Sequence, residues 1–282
     1  MASLHVSVSE DKIVSSPTNS KSPNSAANLQ KFTELAKADI ETQVEFFLKS
    51  FIFDLGDDWG YVNVLAKKFQ VYLHEKAEKH DLDAGQAADF LQRMGKTRTA
   101  MQRRAELADV DLDKNDKICF IEYLLLHYKI MILKAYFARH KMEPTVSLEN
   151  EGVGLTGVGA FLLEELFTVP VGCDAAVTKA IEEFMAKQRE RNALIKDLEE
   201  KAAQGGVKGL AAKNELFQLE AQDKTEMNRV ELTLQAAKRR SSKNSGEVAL
   251  QKAKEQEELE RQKKVQESRN KLAARAAAFE NK

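Results

Sequence analysis

Cysteine is scarce, and the two present, Cys119 and Cys173, cannot build a disulfide framework or a zinc site. Both are read as reduced thiols. Proline is also scarce: the four present lie at or before Pro170, so the remainder of the chain holds nothing that would break a long helix. Long hydrophobic runs are missing. Val44 to Phe53 and Tyr123 to Phe137 are short or interrupted by charge, which excludes an obvious membrane span. The opening Met1 to Ala27 has no basic start followed by an apolar block, so no signal peptide is expected and the cytoplasm is the default. Neither sign of charge prevails. A net charge of -1 gives no global attraction to nucleic acid or to an anionic membrane, and basic–aromatic interleaving is absent as well. His5, His74, His80, His127 and His140 stand without a nucleophile or metal-ligand spacing, so no enzyme is expected.

What is present is a twelve-residue acidic loop. Residues 111 to 122 read Asp-Leu-Asp-Lys-Asn-Asp-Lys-Ile-Cys-Phe-Ile-Glu, the spacing of an EF-hand calcium loop. A hard divalent cation needs six or more converging oxygens. Asp111, Asp113 and Asn115 would each supply one, Lys117 its backbone carbonyl, and Glu122 both carboxylate oxygens. Asp116 replaces the usual glycine at the sixth position, at a cost of roughly 1 to 2 kcal/mol for a left-handed backbone. Cys119 at the ninth position is a poor partner for a hard ion. Calcium binding in the sensor range or weaker is expected.

The fold class expected is all-α. Residues 1–27, rich in Ser and Asn, read as a disordered tail. Residues 28–143 form a helical domain: Phe32, Leu35, Ile40, Val44, Phe47 and Phe51 make one apolar stripe, and Val62, Leu65, Phe69 and Tyr72 a second. Asp83 caps a further helix, Thr97 to Ala108 enters the calcium loop, and Phe120 to His140 leaves it as one helix. EF-hands pair, and Asp81-Leu82-Asp83-Ala84-Gly85 starts like a partner loop but lacks the closing acid, so it reads as vestigial. Residues 144–175 form a linker with a short helix, Ala160 to Phe167. Within it Gly152, Gly154 and Gly157 match a dinucleotide fingerprint in letters, but the flanks are helical and a flexible linker is expected. Residues 176–245 read as an antiparallel hairpin, with Ile181, Phe184, Ile195 and Leu198 on the first helix and Met227, Val230, Leu234 and Ala237 on the second. Residues 246–282 read as a charged helix with sparse apolar positions at Leu250, Leu259, Val265, Leu272 and Phe279.

The run Asp111 to Lys129, followed by Gly206-Val207-Lys208-Gly209-Leu210 with Asn214, Leu216 and Gln218, resembles the calcium-regulated actin-bundling proteins of protists. That resemblance implies a cytoplasmic, cytoskeletal cross-linker of F-actin, built from an EF-hand region and a helical hairpin or coiled-coil C-terminal domain, with calcium weakening the cross-linking. Self-association through the tail is compatible with it. Because actin filaments are acidic, Lys208, Lys213, Arg229, Lys238, Arg239, Arg240 and Lys243 are the expected filament contacts. The alternative is a calcium-sensor adaptor that docks a partner helix in an apolar groove and uses its C-terminal helices as a tether.

Overall fold

The computed structural model describes residues 25–144, 148–149, 152, 155–168, 173–222 and 227–244. Most of the N-terminal tail and the whole charged C-terminal helix expected at 246–282 lie outside the described residues. The architecture is all-α, and strand is confined among the described residues to two pieces of two residues each.

Helix α1 spans Ser25–Ala36, and α2, Ile40–Phe51, starts at Asp39, whose carboxylate accepts a 2.7 Å bond from the Thr42 amide. This cap satisfies an amide that the first helical turn leaves without a partner. Ile40, Val44, Phe47, Leu48 and Phe51 recur at helical spacing and are all buried. A 3-10 turn at Gly56–Gly60 drives Trp59 inward, to 1% exposure, before α3 begins at Tyr61–Glu75.

Two helix–loop–helix units follow one another. In the first, α3 leads through a loop and β1 (Leu82–Asp83) into α4 (Ala84–Arg93). In the second, α5 (Ala100–Val110) leads through residues 111–122 and β2 (Lys117–Ile118) into α6 (Phe120–His127). Reciprocal capping boxes start α4 at Asp83 and Gln86 and α5 at Thr99 and Gln102. The strands pair antiparallel, with Leu82 opposite Ile118 and Asp83 opposite Lys117. Behind them Phe69, Phe90, Phe120 and Tyr123 pack with ring centroids 5.1 to 6.0 Å apart, which fuses both units into one core.

The expected single exit helix is broken. Helix α6 stops at His127, Tyr128 takes a non-helical backbone, and α7 runs over Lys129–His140. At the break Lys96 Nζ, distant in sequence, donates to the His127 carbonyl at 3.1 Å and so satisfies that acceptor. Helix α8, Gly159–Leu166, packs on α7 through Phe161, which lies 4.8 Å from Tyr136. The described part of the glycine-rich segment is packed rather than a free linker, since Leu155 and Val158 are buried.

The hairpin consists of α9, Ala175–Ala203, then α10, Gly206–Gln222, and α11, residues 227–244. Gly205 and Gly206 turn the chain at φ +71° and +67°, a conformation that favours glycine. Three turns of α9 lie on the head: Val177, Ala180, Ile181, Phe184 and Met185 are buried, and Phe184 meets Trp59 edge-on at 5.1 Å. Leu234 of α11 is fully buried in the same core, flanked by Met227, Val230 and Ala237, as the spacing predicts. Towards its turn the hairpin is closed by a separate, small seam that includes Leu198 and Ala212.

Candidate cation loop and basic surface

The loop 111–122 is held open-handed by its own backbone. Asp111 accepts from the amides of Asn115 and Asp116 at 3.1 and 3.0 Å, and Asn115 Oδ1 accepts from the Lys117 amide at 2.7 Å. These bonds curl the chain so that Asp116 adopts φ +57°, the left-handed turn expected at the sixth position. Glu122, fully buried, reaches back across the loop: Oε1 accepts from Leu112 N at 3.0 Å and Oε2 from Cys119 N at 3.0 Å, with the Cys119 thiol at 3.3 Å. Asp111, Asp113 and Glu122 thereby place carboxylate oxygens within 4.8 Å of one another.

That convergence is uncomfortable without a counter-charge. Burial pushes the Glu122 carboxyl up to about 8, and burial followed by the Asp111 carboxylate raises that of Asp113. Asp113 Oδ1 is buried and has no hydrogen-bond partner among the described residues. A buried acceptor left unpaired costs on the order of 1 to 3 kcal/mol. Asp111, Asp113, Asn115 and Glu122 are brought together; Lys117 lies beside them on β2.

The ladder locates the partner loop. Ile118 is the eighth residue of its loop and faces Leu82, so the equivalent twelve residues run from Glu75 to Gln86 rather than starting at Asp81. In that register Ala77 and Lys79 occupy the third and fifth positions, where no oxygen-bearing side chain remains. The frame survives nonetheless: Gln86 Oε1 accepts from Asp83 N at 2.9 Å, just as Glu122 does from Cys119 N.

Two side-chain links join the helices flanking this loop to α8 and α2, and neither has a sequence signal. Asp109, on the last turn of α5, caps α8: its carboxylate accepts from the amides of Gly157, Val158 and Gly159 at 3.0, 3.2 and 3.3 Å. A Cβ on Gly159 would lie 2.4 Å from the Asp109 carbonyl oxygen, so α8 approaches as closely as glycine allows. Gln43, buried on α2, accepts from Ile121 N at 2.7 Å and donates to the carbonyls of Ala36 and Ala38 at 3.1 and 2.8 Å. It therefore pins the start of α6, next to Glu122. Lys129, itself buried, is a further tie, donating to the carbonyls of Gly152 and Leu155 at 3.0 and 3.2 Å.

The basic residues fall into two groups. Lys208 and Lys213 are exposed beside the hairpin turn on α10, while Arg229, Arg239, Arg240 and Lys243 are exposed on α11. Lys238 points inward instead, its ammonium donating to the Gly56 carbonyl and its proton affinity lowered by burial. Helix α9 is fastened to α2 by ion pairs, Lys49 with Glu182 at 2.8 Å and Arg189 with Glu45 at 2.6 Å.

Residues 130–281, from α7 through the hairpin and beyond, match the family described as F actin bundling C terminal. The chain belongs to that family. The matched segment begins after the acidic loop, so the family assignment covers the hairpin and leaves residues 111–122 outside it. No curated protein matches the chain. Among solved structures, the crystal structure of a 34 kDa F-actin bundling protein from Dictyostelium discoideum is similar at 20% identity, over 79% of this chain and 91% of that chain, with a TM-score of 0.39. A likeness of that degree fixes neither fold nor function here. Among the described residues no helix is long and apolar enough to cross a membrane.

Proposed function

We propose that this protein binds and cross-links actin filaments in the cytoskeleton, and that calcium held by an EF-hand loop at residues 111–122 weakens the cross-linking. The observation that carries the first half is the family match over residues 130–281. The exposed basic residues near the hairpin turn and on α11 form two separated sets of cationic side chains, and joining two acidic filaments calls for two contacts. Lys208 and Lys213 serve one, Arg229, Arg239, Arg240 and Lys243 the other, with Lys238 fastening α11 to the head.

The second half rests on the donor set. Three converging carboxylates, an amide side chain and an unpaired buried oxygen suit a hard divalent cation and suit no transition metal that prefers nitrogen or sulfur. Asp111, Asp113, Asn115, the Lys117 carbonyl and both Glu122 oxygens would hold it. A bound cation supplies the positive charge that lets these acids ionise together. To serve as a bidentate ligand Glu122 must slacken its bonds to Leu112 and Cys119. Movement of Glu122 shifts the start of α6, and Gln43 passes that shift to α2, on which α9 is docked. Asp109 offers a second route, through α8.

Pelleting with F-actin tests both halves: low speed collects bundles, high speed collects bound protein. Bundles are expected with chelator and fewer with calcium, and Glu122→Gln should bundle in both conditions. Failure to pellet with actin in any condition rejects the first half; an unaltered calcium response in Glu122→Gln rejects the second.

A sensor adaptor is the second reading. A cleft of about 580 Å³ between α4 and α5, lined by Ala84, Ala88, Leu107 and Ile118, favours it. Methionine is absent from that lining, whereas adaptable sensor grooves are rich in it.

A further inference from the structure

Two places in the chain set arginines side by side, and only one of them is followed by a hydroxyl. Arg103-Arg104 runs into Ala105-Glu106, where Arg103 and Glu106 are buried and ion-paired at 2.9 Å. Arg239-Arg240 runs into Ser241-Ser242, with Lys238 before it and Lys243 after. Serine kinases of the basophilic class select substrates by charge pattern, and arginines at the third and second positions before a serine suit their acidic substrate clefts. In this run that serine is Ser242.

The fold separates the two serines. Ser241 is 2% exposed, on the face of α11 that carries the buried Leu234. Ser242, turned about 100° further round the helix, is exposed together with Arg239, Arg240 and Lys243. It also stands clear of the groove between α9 and α11, whose wall takes Arg229, Arg240 and Asn244. The residues that follow in sequence, Asn244-Ser245-Gly246, are a helix-stop pattern. Terminal turns fray, so an enzyme that reads extended chain can open this one.

We infer that Ser242 is a phosphorylation site for an arginine-directed serine kinase, and that its phosphate switches off the cationic set on α11. In the transfer the Ser242 hydroxyl oxygen bonds to the γ-phosphorus of ATP, the bond from that phosphorus to the bridging oxygen breaks, ADP leaves, and the hydroxyl proton passes to the kinase's base. A phosphoserine carries a charge of about −1.5 to −2. The exposed cations of α11 are Arg229, Arg239, Arg240 and Lys243, so close to half of their charge is cancelled. Ser242 lies three residues from Arg239 and four from Lys238, the spacings at which helical side chains meet. Lys238 donates to the carbonyl of Gly56, in the turn that carries Trp59. A phosphate one helical turn away draws that ammonium off the carbonyl and loosens α11 from the head. The site itself depends on neither the actin nor the calcium reading, while its effect on bundling rests on the actin reading.

Full-length protein treated with ATP and the catalytic subunit of cyclic-AMP-dependent protein kinase tests it, with phosphopeptides located by mass spectrometry. Phosphate is expected at Ser242, with incorporation at least about tenfold slower in Ser242→Ala and retained in Ser241→Ala. Both readouts of the switch use the phosphorylated full chain. Low-speed pelleting of actin bundles should fall several-fold while high-speed pelleting persists, and Trp59 emission should change without actin present. Absence of phosphate from Ser242 would overturn the site. Unchanged bundling after complete phosphorylation would overturn the loss of the cationic set, and unchanged Trp59 emission would overturn the release of α11. If the unmodified protein does not bundle actin, the actin reading fails, and the phosphopeptides and the tryptophan signal still decide the inference.

Discussion

Replacing Asp109 with alanine removes a cap that joins the acidic loop's entering helix to the family segment. Three amides, those of Gly157, Val158 and Gly159, share its two oxygens. Loss of a side-chain cap costs about 1 to 2 kcal/mol. Loss of a carboxylate at a helix N-terminus adds roughly 0.3 to 1 kcal/mol. About 2 kcal/mol is therefore expected, and at an m-value of roughly 3 kcal/mol/M the urea midpoint falls by ~0.7 M. Asp109→Asn keeps one acceptor but loses the charge and one oxygen, and should fall about halfway. Trp59, the sole tryptophan, lies against Phe184 of α9, so its fluorescence follows release of the hairpin while far-ultraviolet dichroism follows helix content. An alanine variant with the parent's midpoint would refute the reasoning, because those amides would then be satisfied equally well without the carboxylate.

Two further outcomes are expected. Burial, and then the Lys96 ammonium, depress His127 to about 4 from the ordinary 6.5, so the folded protein binds fewer protons than the unfolded chain between these values. Stability contributed by the neutral ring is complete above about pH 6.5 and lost as pH falls towards 4, up to about 3 kcal/mol. His127→Gln should flatten the acid limb of a stability–pH profile, and an unchanged slope would exclude this ring as its source. Reversing charge at one basic group at a time, Lys208→Glu with Lys213→Glu or Arg239→Glu with Lys243→Glu, should lower bundle pelleting several-fold while leaving much of the single-filament binding. Equal loss of both activities from either pair would show that the groups form a single site.

What could be read in the chain was local. The loop announced itself because four ligand-type side chains sit at fixed offsets within twelve residues, and the hairpin because Met227, Val230, Leu234 and Ala237 keep helical spacing on one face. The sequence pattern places the partner loop six residues late because its third and fifth positions, Ala77 and Lys79, carry no oxygen, leaving backbone pairing between Leu82 and Ile118 as its mark. The break at Tyr128 is accompanied by a bond from Lys96, which is remote in sequence, and no periodicity encodes it. Gln43, Asp109 and Lys129 act through bonds spanning from 23 to 78 residues, so each looks like an ordinary helical side chain until the fold is closed. Lys238 shows the same limit in reverse: a basic run on a helix says nothing of which member faces inward.

Helix α2 carries two of these attachments within two residues of each other. Gln43 grips the first turn of α6, and Glu45 meets both Lys49 on its own helix and Arg189 on α9. A rigid twelve-residue rod seated by seven buried positions cannot yield at one of these points and stay fixed at the other. It acts as a crossbar: a displacement of α6 of even half a turn must break the Gln43 bond or carry α9 with it. Head and hairpin are thus geared together through one short element, and lesions on its polar edge should uncouple them without unfolding either.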